Sequence, residues 1–220
     1  MGKDKNIDSS TELSYRILLE EACGEYEEKK SKFIAHIAHV ETEEEANAYI
    51  TSIKKKYYDA RHNCSAMIIG SDSSLVRSSD DGEPSGTAGR PMTEVLKGEG
   101  LTNVVAVVTR YFGGVLLGTG GLVRAYTEAV KDALENAKIG TITYSSDIEI
   151  ICDYSEVNSL QYFVENNPVE CIATDYTDKV RFLLRCKFSL EGNIVDALTS
   201  LTQGKRPINV ISRGYEALKD

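Results

Sequence analysis

The sequence lacks the long apolar runs that mark membrane-spanning and exported proteins. None of its runs approaches the roughly 18 consecutive apolar residues that read as a transmembrane helix. The opening residues, MGKDKNIDSS, contain no apolar core of the kind found in a signal peptide. We therefore expect a cytoplasmic protein that does not associate with a membrane.

The sequence also lacks cysteine and histidine patterns that indicate a disulfide framework or a metal site. His36 and His39 are three apart in a predicted strand, so they point to opposite faces and cannot share a metal. His62 and Cys64 can face the same side, but no second pair with ligand spacing accompanies them. We expect buried, reduced thiols, no metal and no cofactor. The cysteines occur singly, with an odd total and no CxxC pair: Cys23, Cys64, Cys152, Cys171 and Cys186.

Common catalytic motifs are missing as well. There is no GxSxG nucleophile elbow, and no complete set of nucleophile, base and orienting residue is visible. Gly113 and Gly118 have the spacing of a Walker A loop, but Thr119 stands where lysine is needed. No third spaced glycine completes a GxGxxG motif. The sequence favours a non-enzymatic protein over an enzyme, and leaves the question open.

An excess of positive charge is absent too. With 25 Lys and Arg against 34 Asp and Glu, the formal net charge is −9. This argues against a surface that coats nucleic acid indiscriminately, although it allows a local basic cleft.

The first part of the chain alternates predicted strands and helices. Residues 13–40 are predicted to form two strands around a polar turn at EYEEKKSK. A helix follows, in which Thr42 can cap the first turn and Glu45 can return the bond. The later elements are strands at 64–70 and 74–77, a helix starting at Pro91, a buried strand in LTNVVAVVTRYF and a helix in LVRAYTEAVKDALENAK.

The second part of the chain has a different rhythm. Its predicted order is βαββαβ, which is typical of a ferredoxin-like sandwich. We place a domain boundary near Gly140, so that domains 1–139 and 140–220 make up a two-domain α+β protein. The predicted elements are strands at 142–153, 169–175, 179–188 and 207–213, with helices at 155–166 and in EGNIVDALTSL.

Residues 78–91, SSDDGEPSGTAGRP, contain no large apolar side chain. Such a segment is either a slack linker or a shaped loop, and we predict an ordered loop because it lies inside the first domain. Pro84 and Pro91 restrict its backbone, and its acids are expected to pair with Arg110 or Arg124. The acids could hold a hard cation, although a capped, solvated loop is more common. The candidate ligand-binding residues here are Asp80, Asp81, Glu83, Ser85 and Thr87.

A second candidate segment is RYFGGVLLGTGG, where a buried strand passes through glycines into a helix. Bare backbone N–H groups at such a junction can hold an anion. The alternative is that the glycines only permit tight packing of strand and helix. The candidate residues are Tyr111, Gly113, Gly114, Gly118, Gly120 and Gly121.

Three arginines are predicted at the junctions of loops with strands or helices, where sites usually assemble. They are Arg90, Arg110 and Arg124. A cation in the first turn of a helix is unfavourable, so Arg124 is expected to have a partner or a ligand. The alternative is an internal ion-pair network that joins Asp80 and Asp81 to these arginines. The sequence leaves both open.

The segments SDDGEPSGTAGRP and RYFGGVLLGTGGLVRAY resemble the signature of the YigZ/Impact family. ARHNCSAMII and KKSKFIAH also match its pattern, and the second domain resembles the carboxy-terminal module of the bacterial members, so the resemblance covers nearly the whole chain. Asn63 and Ser65 depart from it, because relatives often carry a second histidine and an aromatic residue there. The resemblance implies an amino-terminal domain like the second domain of a small-subunit ribosomal protein, a fold shared with GHMP kinases. It also implies a carboxy-terminal domain similar to domain V of elongation factor G.

The resemblance implies a link to translation, since eukaryotic Impact relatives regulate translation initiation. The favoured hypothesis is a non-enzymatic regulatory protein that binds RNA, the ribosome or a protein partner through the two loops. The alternative is an enzyme acting on a phosphorylated or nucleotide substrate. In that case the glycine-rich segment would hold phosphate and the acids a metal.

Overall fold

A computed structural model of the protein describes residues 14–219. It divides into two compact units, one spanning Tyr15–Gly140 and the other containing residues 141–219. The described residues form ten strands and five α-helices in two sheets, which confirms the two-domain α+β fold. No helix in this part of the chain is long and apolar enough to cross a bilayer. Leu13 and the opening MGKDKNIDSS lie outside the described residues.

The first unit is built on a five-stranded sheet with the order β2-β3-β6-β4-β5. The five strands of this sheet are β2 (Ala22–Glu28), β3 (Ser31–His39), β4 (His62–Ile69), β5 (Leu75–Ser79) and β6 (Val104–Tyr111). A short strand that is not part of this sheet, β1 (Tyr15–Leu18), precedes them. Its helices are α1 (Glu43–Lys56), α2 (Gly89–Gly98) and α3 (Gly118–Glu135).

Both faces of this sheet are covered, which explains why β6 is rich in β-branched, apolar residues. Successive side chains of a strand point to opposite faces. Val104 and Val108 pack with residues of α2 and α3 in one core, while Val105 and Val107 pack with residues of α1 in the other. A strand buried on both faces has no exposed face on which a polar residue would be favourable.

Residues 15–39 form three strands, where the sequence predicted two. The strands β2 and β3 pair as an antiparallel hairpin from Ala22↔Ile37 to Glu28↔Ser31. The turn contains only Lys29 and Lys30, with φ of 48° and 64°. Two residues with positive φ match the twist of a tight hairpin, so the charged EYEE stretch continues the strand and does not form part of the turn.

The second unit has the predicted order of elements. They are β7 (Ile139–Cys152), α4 (Val157–Asn166), β8 (Glu170–Tyr176), β9 (Val180–Lys187), α5 (Glu191–Leu201) and β10 (Ile208–Lys219). The first strand of the βαββαβ series, β7, lies between β9 and β10, and β8 pairs with β9 on the far side.

The sheet of the second unit has two unlike faces. Alternate residues of β7 and β9, among them Ile148 and Leu184, join α4 and α5 in one core. The intervening residues carry ion pairs, as in Asp147 with Arg185 at 2.7 Å and Glu149 with Arg181 at 2.6 Å. This alternation of apolar and charged side chains is typical of an antiparallel sheet with one buried face.

Candidate functional site

The acidic loop, residues 80–88, connects β5 to α2. Hydrogen bonds of Asp80 link the start of the loop to its end. The Asp80 carboxylate accepts the backbone N–H of Gly86 at 2.8 Å, of Ala88 at 3.0 Å and of Gly89 at 2.9 Å. Burial opposes ionisation of Asp80, but these three donors outweigh it and lower the pKa of the carboxyl. Asp80 therefore fixes the conformation of the loop and the start of α2.

Asp81 ties the acidic loop to the strand and helix beside it. Its carboxylate accepts Lys54 Nζ and the Asn63 backbone N–H, both at 2.7 Å. The pKa of Asp81 is lowered because these donors together outweigh the effect of burial. The expected pairing of Asp81 with Arg110 or Arg124 is wrong. Asp81 adopts a φ of 44° and bonds towards β4 and α1 instead.

Glu83 makes the ion pair that was expected of the aspartates. Arg110 donates Nη1–H to Glu83 Oε1 at 2.7 Å, and the two side chains are 8% and 3% exposed. The same oxygen accepts the Tyr126 hydroxyl at 2.9 Å. An ion pair buried to this degree needs good geometry to offset the loss of hydration. Removing one partner leaves an uncompensated buried charge.

A thiol and a phenol extend this buried cluster. Cys64 Sγ lies 3.2 Å from the Tyr126 hydroxyl and 3.0 Å from the carbonyl oxygen of Asp80. Burial raises the pKa of Cys64 to about 12 and also raises that of Tyr126. Both groups stay protonated near neutral pH, so they act here as hydrogen-bonding core residues.

Arg110 is also held between two aromatic rings. Its guanidinium carbon lies 5.5 Å from the centre of the Phe33 ring and 5.7 Å from that of Phe112. These distances suit cation–π attraction. Arg110 Nε is buried and has no hydrogen-bond partner in the described residues.

The glycine bend, residues 112–117, leads from β6 to α3. A Cβ on Gly113 would lie 2.1 Å from the carbonyl carbon of Lys30, and the Gly113 N–H donates to Ser31 Oγ at 3.1 Å. Gly113 is thus required by close approach to the β2–β3 turn. Gly114, with a φ of 86°, is required by its backbone conformation.

The helix after the bend begins earlier than the sequence predicted. α3 starts at Gly118, not Leu122, so Gly120 and Gly121 lie inside its first turns. Arg124 consequently lies in the second turn, beyond the first-turn positions where the helix dipole makes a cation unfavourable. The helix α2 also begins earlier than the sequence predicted. It starts at Gly89, so Pro91 is at its third position.

The two remaining candidate arginines are on the surface. Arg90 and Arg124 are exposed, and within residues 14–219 neither forms an ion pair. Arg90 lines a groove of about 630 Å³ between α2 and α3, together with Val123 and Lys131. Arg110 therefore differs from the other two candidate arginines in being internal.

A pocket opens where β6 ends and the glycine bend begins, with a volume of about 520 Å³. Tyr111 donates its hydroxyl to Asp59 Oδ1 at 2.7 Å, and this bond raises the pKa of Tyr111 to about 12. Cationic, aromatic and aliphatic groups therefore meet at one opening. The lining residues are Asp59, Arg61, His62, Arg110, Tyr111, Phe112 and Leu116.

The candidate residues of the two segments are thus divided by the structure. Asp80, Asp81, Glu83 and Thr87 form internal bonds, Thr87 through its hydroxyl to the Pro84 carbonyl at 2.6 Å. Ser85 is exposed. Arg110 and Tyr111 reach the pocket. Four residues of the pocket and the buried cluster were not predicted from the sequence: Arg61, Phe112, Leu116 and Tyr126. Apolar side chains flanking glycines, as in FGGVLL, were the available signal for the exposed ones.

The expectation that all five thiols are buried is wrong for two of them. Cys64, Cys152 and Cys186 are buried, but Cys171 is half-buried and Cys23 is exposed. Cys23 lies on β2, which is an edge strand of the first sheet. The strand alternation places it on the face that α1 covers only in part, so a small side chain there stays accessible.

Fold and site together define a two-domain α+β protein. In its first unit the acidic loop and the glycine bend both contact Arg110. Residues 29–134 match the model of the Impact N-terminal domain, and residues 150–205 match a domain of unknown function, DUF1949. The match over 29–134 contains both the acidic loop and the glycine bend. The chain belongs to the YigZ/Impact family.

Individual relatives align over most of the chain. IMPACT family member YvyE of Bacillus subtilis is 38% identical over 82% of this chain and 83% of its own length. IMPACT family member YigZ of Escherichia coli is 41% identical over 67% of this chain and 74% of its own. A crystal structure of a hypothetical protein is 34% identical with a TM-score of 0.58, covering 90% of this chain and 98% of that one.

Proposed function

We propose that this protein is a non-enzymatic, translation-linked regulatory protein that engages RNA, on its own or in the ribosome, through the pocket beside the glycine bend. The translation link comes from membership of the Impact family. The observation that carries the choice of site is the meeting of Arg61 and Arg110 with Phe112 and Leu116 at one opening. Proteins that bind single-stranded nucleic acid combine cationic side chains with exposed aromatic rings on which bases stack.

The exposure of these side chains supports binding and not packing. Phe112 is 56% exposed and Leu116 is 83% exposed. Arg61 is also exposed, and within residues 14–219 it forms no ion pair or hydrogen bond. With a net charge of −9, attraction to RNA has to be local, and the exposed Arg61 at the opening of this pocket provides that.

The test is RNA binding measured on variants that leave the buried cluster intact. Arg61→Ala and Phe112→Ala should each weaken binding of a labelled single-stranded RNA roughly fivefold or more, since one stacked base contributes about 1–3 kcal/mol. Arg77→Ala is the matched control, because Arg77 is exposed on β5 and pairs with Glu43. Fluorescence anisotropy at several salt concentrations, with ribosome cosedimentation in parallel, gives the readout.

The outcome decides between RNA and a protein partner. Wild-type protein that shows no salt-dependent binding to RNA or ribosomes would remove RNA from the proposal, and a protein partner from the translation machinery would take its place. Arg110→Ala is unsuitable as the test, because it would strip Glu83 of its buried partner and change the fold at the same time.

A second candidate is an enzyme acting on a phosphorylated or nucleotide substrate, and one observation favours it. The first turn of α3 carries no acidic residue, and Leu117 before it offers no side-chain cap. Such a helix end attracts phosphate. The acids expected to hold a metal in that hypothesis are bonded to the protein itself. A thermal shift of several degrees with one nucleotide and metal, and none with RNA, would favour the enzyme.

For the two units we propose finer fold assignments. The boundary near Gly140, giving domains 1–139 and 140–220, is supported by the division after Gly140. The pairing of β7 with both β9 and β10, and of β8 with β9, supports a ferredoxin-like second unit, as in domain V of elongation factor G. For the first unit we propose the fold of the second domain of a small-subunit ribosomal protein. Five free cysteines support a cytoplasmic location.

A further inference from the structure

Cys23 and His36 face each other on neighbouring strands. The register of β2 and β3 pairs the two residues directly, and Cys23 Sγ lies 2.9 Å from His36 Nδ1. Because β2 is an edge strand, the thiol is open to solvent, while His36 is only 5% exposed. An accessible nucleophile is thus in contact with a buried base.

Tyr57, which ends α1, fixes the orientation of this base. His36 Nε2 lies 2.8 Å from the Tyr57 hydroxyl, and the two rings are 5.5 Å apart. When Nδ1 accepts the thiol proton, Nε2 carries the ring hydrogen and donates it to the Tyr57 oxygen. The three side chains therefore have the arrangement of nucleophile, base and orienting group that nucleophilic sites require.

The protonation states of the pair follow from its surroundings. Burial lowers the pKa of His36, and nearby Lys56 lowers it further, so the imidazole is neutral and able to accept. Burial raises the pKa of Cys23, Lys56 opposes this, and Glu21 and Glu25 add to the rise. The thiol thus holds its proton near neutral pH, and its reactivity depends on transfer of that proton to a base.

The groups around the thiol, apart from His36, come from β2, the residue before it and the end of α1. Glu21 precedes β2 and Glu25 lies within it, while Lys56 and Tyr57 come from the end of α1. For Tyr49, also in α1, burial together with the negative charge of Glu21 raises the pKa of the hydroxyl. None of these is a base as close to the sulfur as His36 is in the described structure.

We propose that Cys23 is a base-assisted reactive thiol that undergoes thiol–disulfide exchange with small disulfides. The sulfur attacks one sulfur of the disulfide as its proton passes to His36 Nδ1. A new S–S bond forms to Cys23, the old S–S bond breaks, and the departing thiolate takes the proton back from the imidazolium. Cys23 is oxidised to a mixed disulfide, and the released half of the reagent is reduced to a thiol.

The other four thiols are built differently and serve as internal controls. Cys64 and Cys186 are buried, and burial raises their pKa values to about 12 and about 11. Cys152 is fully buried, and Cys171 bonds to Ala173 and Thr174 on its own strand. Within residues 14–219, none of these four has an imidazole partner.

The test uses Ellman's reagent on the native, full-length protein, with mass spectrometry to locate the adduct. One fast-reacting thiol per chain is expected, and Cys23→Ser should remove it. His36→Gln should slow this phase at least about tenfold near neutral pH, a modest effect for a general base. In strongly alkaline solution, where the thiolate forms without help, the variant and the wild type should converge. A purely structural role for His36 would not produce this convergence.

Tyr57→Phe provides the second variant, because it removes only the hydroxyl that orients the imidazole. A smaller slowing than in His36→Gln is expected. If His36→Gln unfolds the protein, all five cysteines will react together and the decision passes to Tyr57→Phe. Rates for the folded variants equal to the wild-type rate near neutral pH would overturn the proposal. So would a fast phase located at Cys171.

Discussion

The acidic loop and the glycine bend both contain glycines but have opposite relations to the rest of the protein. The acidic loop uses its carboxylates internally. Asp80 accepts backbone N–H groups at the end of the loop, Asp81 bonds β4 and α1, and Glu83 accepts from Arg110. The glycine bend instead directs Phe112 and Leu116 into solvent. A loop whose polar groups are satisfied by the protein is part of its framework, whereas exposed apolar side chains mark a binding surface.

The two loops meet at Arg110, and this gives the acidic loop an indirect role. Glu83 holds the guanidinium from the buried side, and Phe112 lies over it from the bend. The acidic loop therefore positions a residue of the pocket without lining the pocket itself. If this division is correct, substitutions in the acidic loop should change stability, and substitutions at exposed positions of the bend should change binding.

The largest effect is expected for Glu83→Ala. It leaves the buried Arg110 without its counter-charge and Tyr126 without its acceptor. Breaking a buried pair in this way costs about 3–5 kcal/mol. Urea denaturation followed by circular dichroism measures the change in unfolding free energy.

Glu44→Ala is the matched control for Glu83→Ala, because Glu44 is an exposed carboxylate in the first turn of α1. The control should change stability by less than about 1 kcal/mol. Similar effects for the two variants would mean that the Glu83–Arg110 pair does not hold the acidic loop in place.

Gly113→Ala should have the next largest effect, because here the bend itself is part of the framework. The added Cβ would lie 2.1 Å from a backbone carbon and 2.3 Å from the carbonyl oxygen of Lys30, neither of which can move freely. Overpacking of this kind costs roughly 1–3 kcal/mol. Thermal and urea unfolding measure it. Gly98→Ala is the control, since a Cβ there meets nothing within 4 Å and Gly98 ends α2.

Asp80→Asn should cost about 1–2 kcal/mol near neutral pH, since the charged acceptor of three N–H groups is replaced by an amide. The pKa of Asp80 is lower in the folded state than in the unfolded chain. Its contribution is therefore fully present above the unfolded value of about 3.9 and is lost as the pH falls through the folded value.

The corresponding measurement is the difference in unfolding free energy between wild type and Asp80→Asn as the solution is acidified. The difference should shrink steadily below the unfolded pKa. Asp196→Asn, at an exposed position in α5, is the control and should show little difference at any pH. A difference of constant size across the acid range would mean that the charge of Asp80 is not what holds the loop.

Much of the fold could be predicted from the sequence because local patterns agree with it. The β-branched run of β6 required two buried faces, and the βαββαβ series required only the positions of its elements. At α1, Thr42 accepts the Glu45 N–H at 3.1 Å as its spacing predicts. The Glu45 carboxylate, however, accepts the N–H of Glu41 at 2.8 Å, and not that of Thr42. Such a shift of one residue depends on how the chain enters the helix.

The site was predicted less well because its bonds join residues far apart in the chain. Nothing local at Asp81 identifies Lys54 as its partner, and nothing at Cys23 identifies His36. The register of β2 against β3, which sets the second contact, depends on a two-residue turn that the sequence analysis placed in a longer polar segment. The helix turn that contains Arg124 was predicted wrongly for a related reason. The first turn of α3 contains three glycines, each of which is an unfavourable helix residue.

The smallest effect on stability is expected for Gly120→Ala, and it tests whether the start of α3, directly after the bend, approaches a ligand. Gly120 lies in the first turn of α3, its φ is not positive, and a Cβ there would meet nothing within 4 Å. Alanine is favoured over glycine in a helix by up to about 1 kcal/mol, so unfolding free energy should stay equal or rise slightly. If Gly120 contacts no ligand, RNA binding should be unchanged as well. If it allows a ligand to approach the α3 backbone, binding by anisotropy should weaken while the melting temperature holds. A loss of stability above about 1 kcal/mol would show instead that Gly120 belongs to the framework, as Gly113 does.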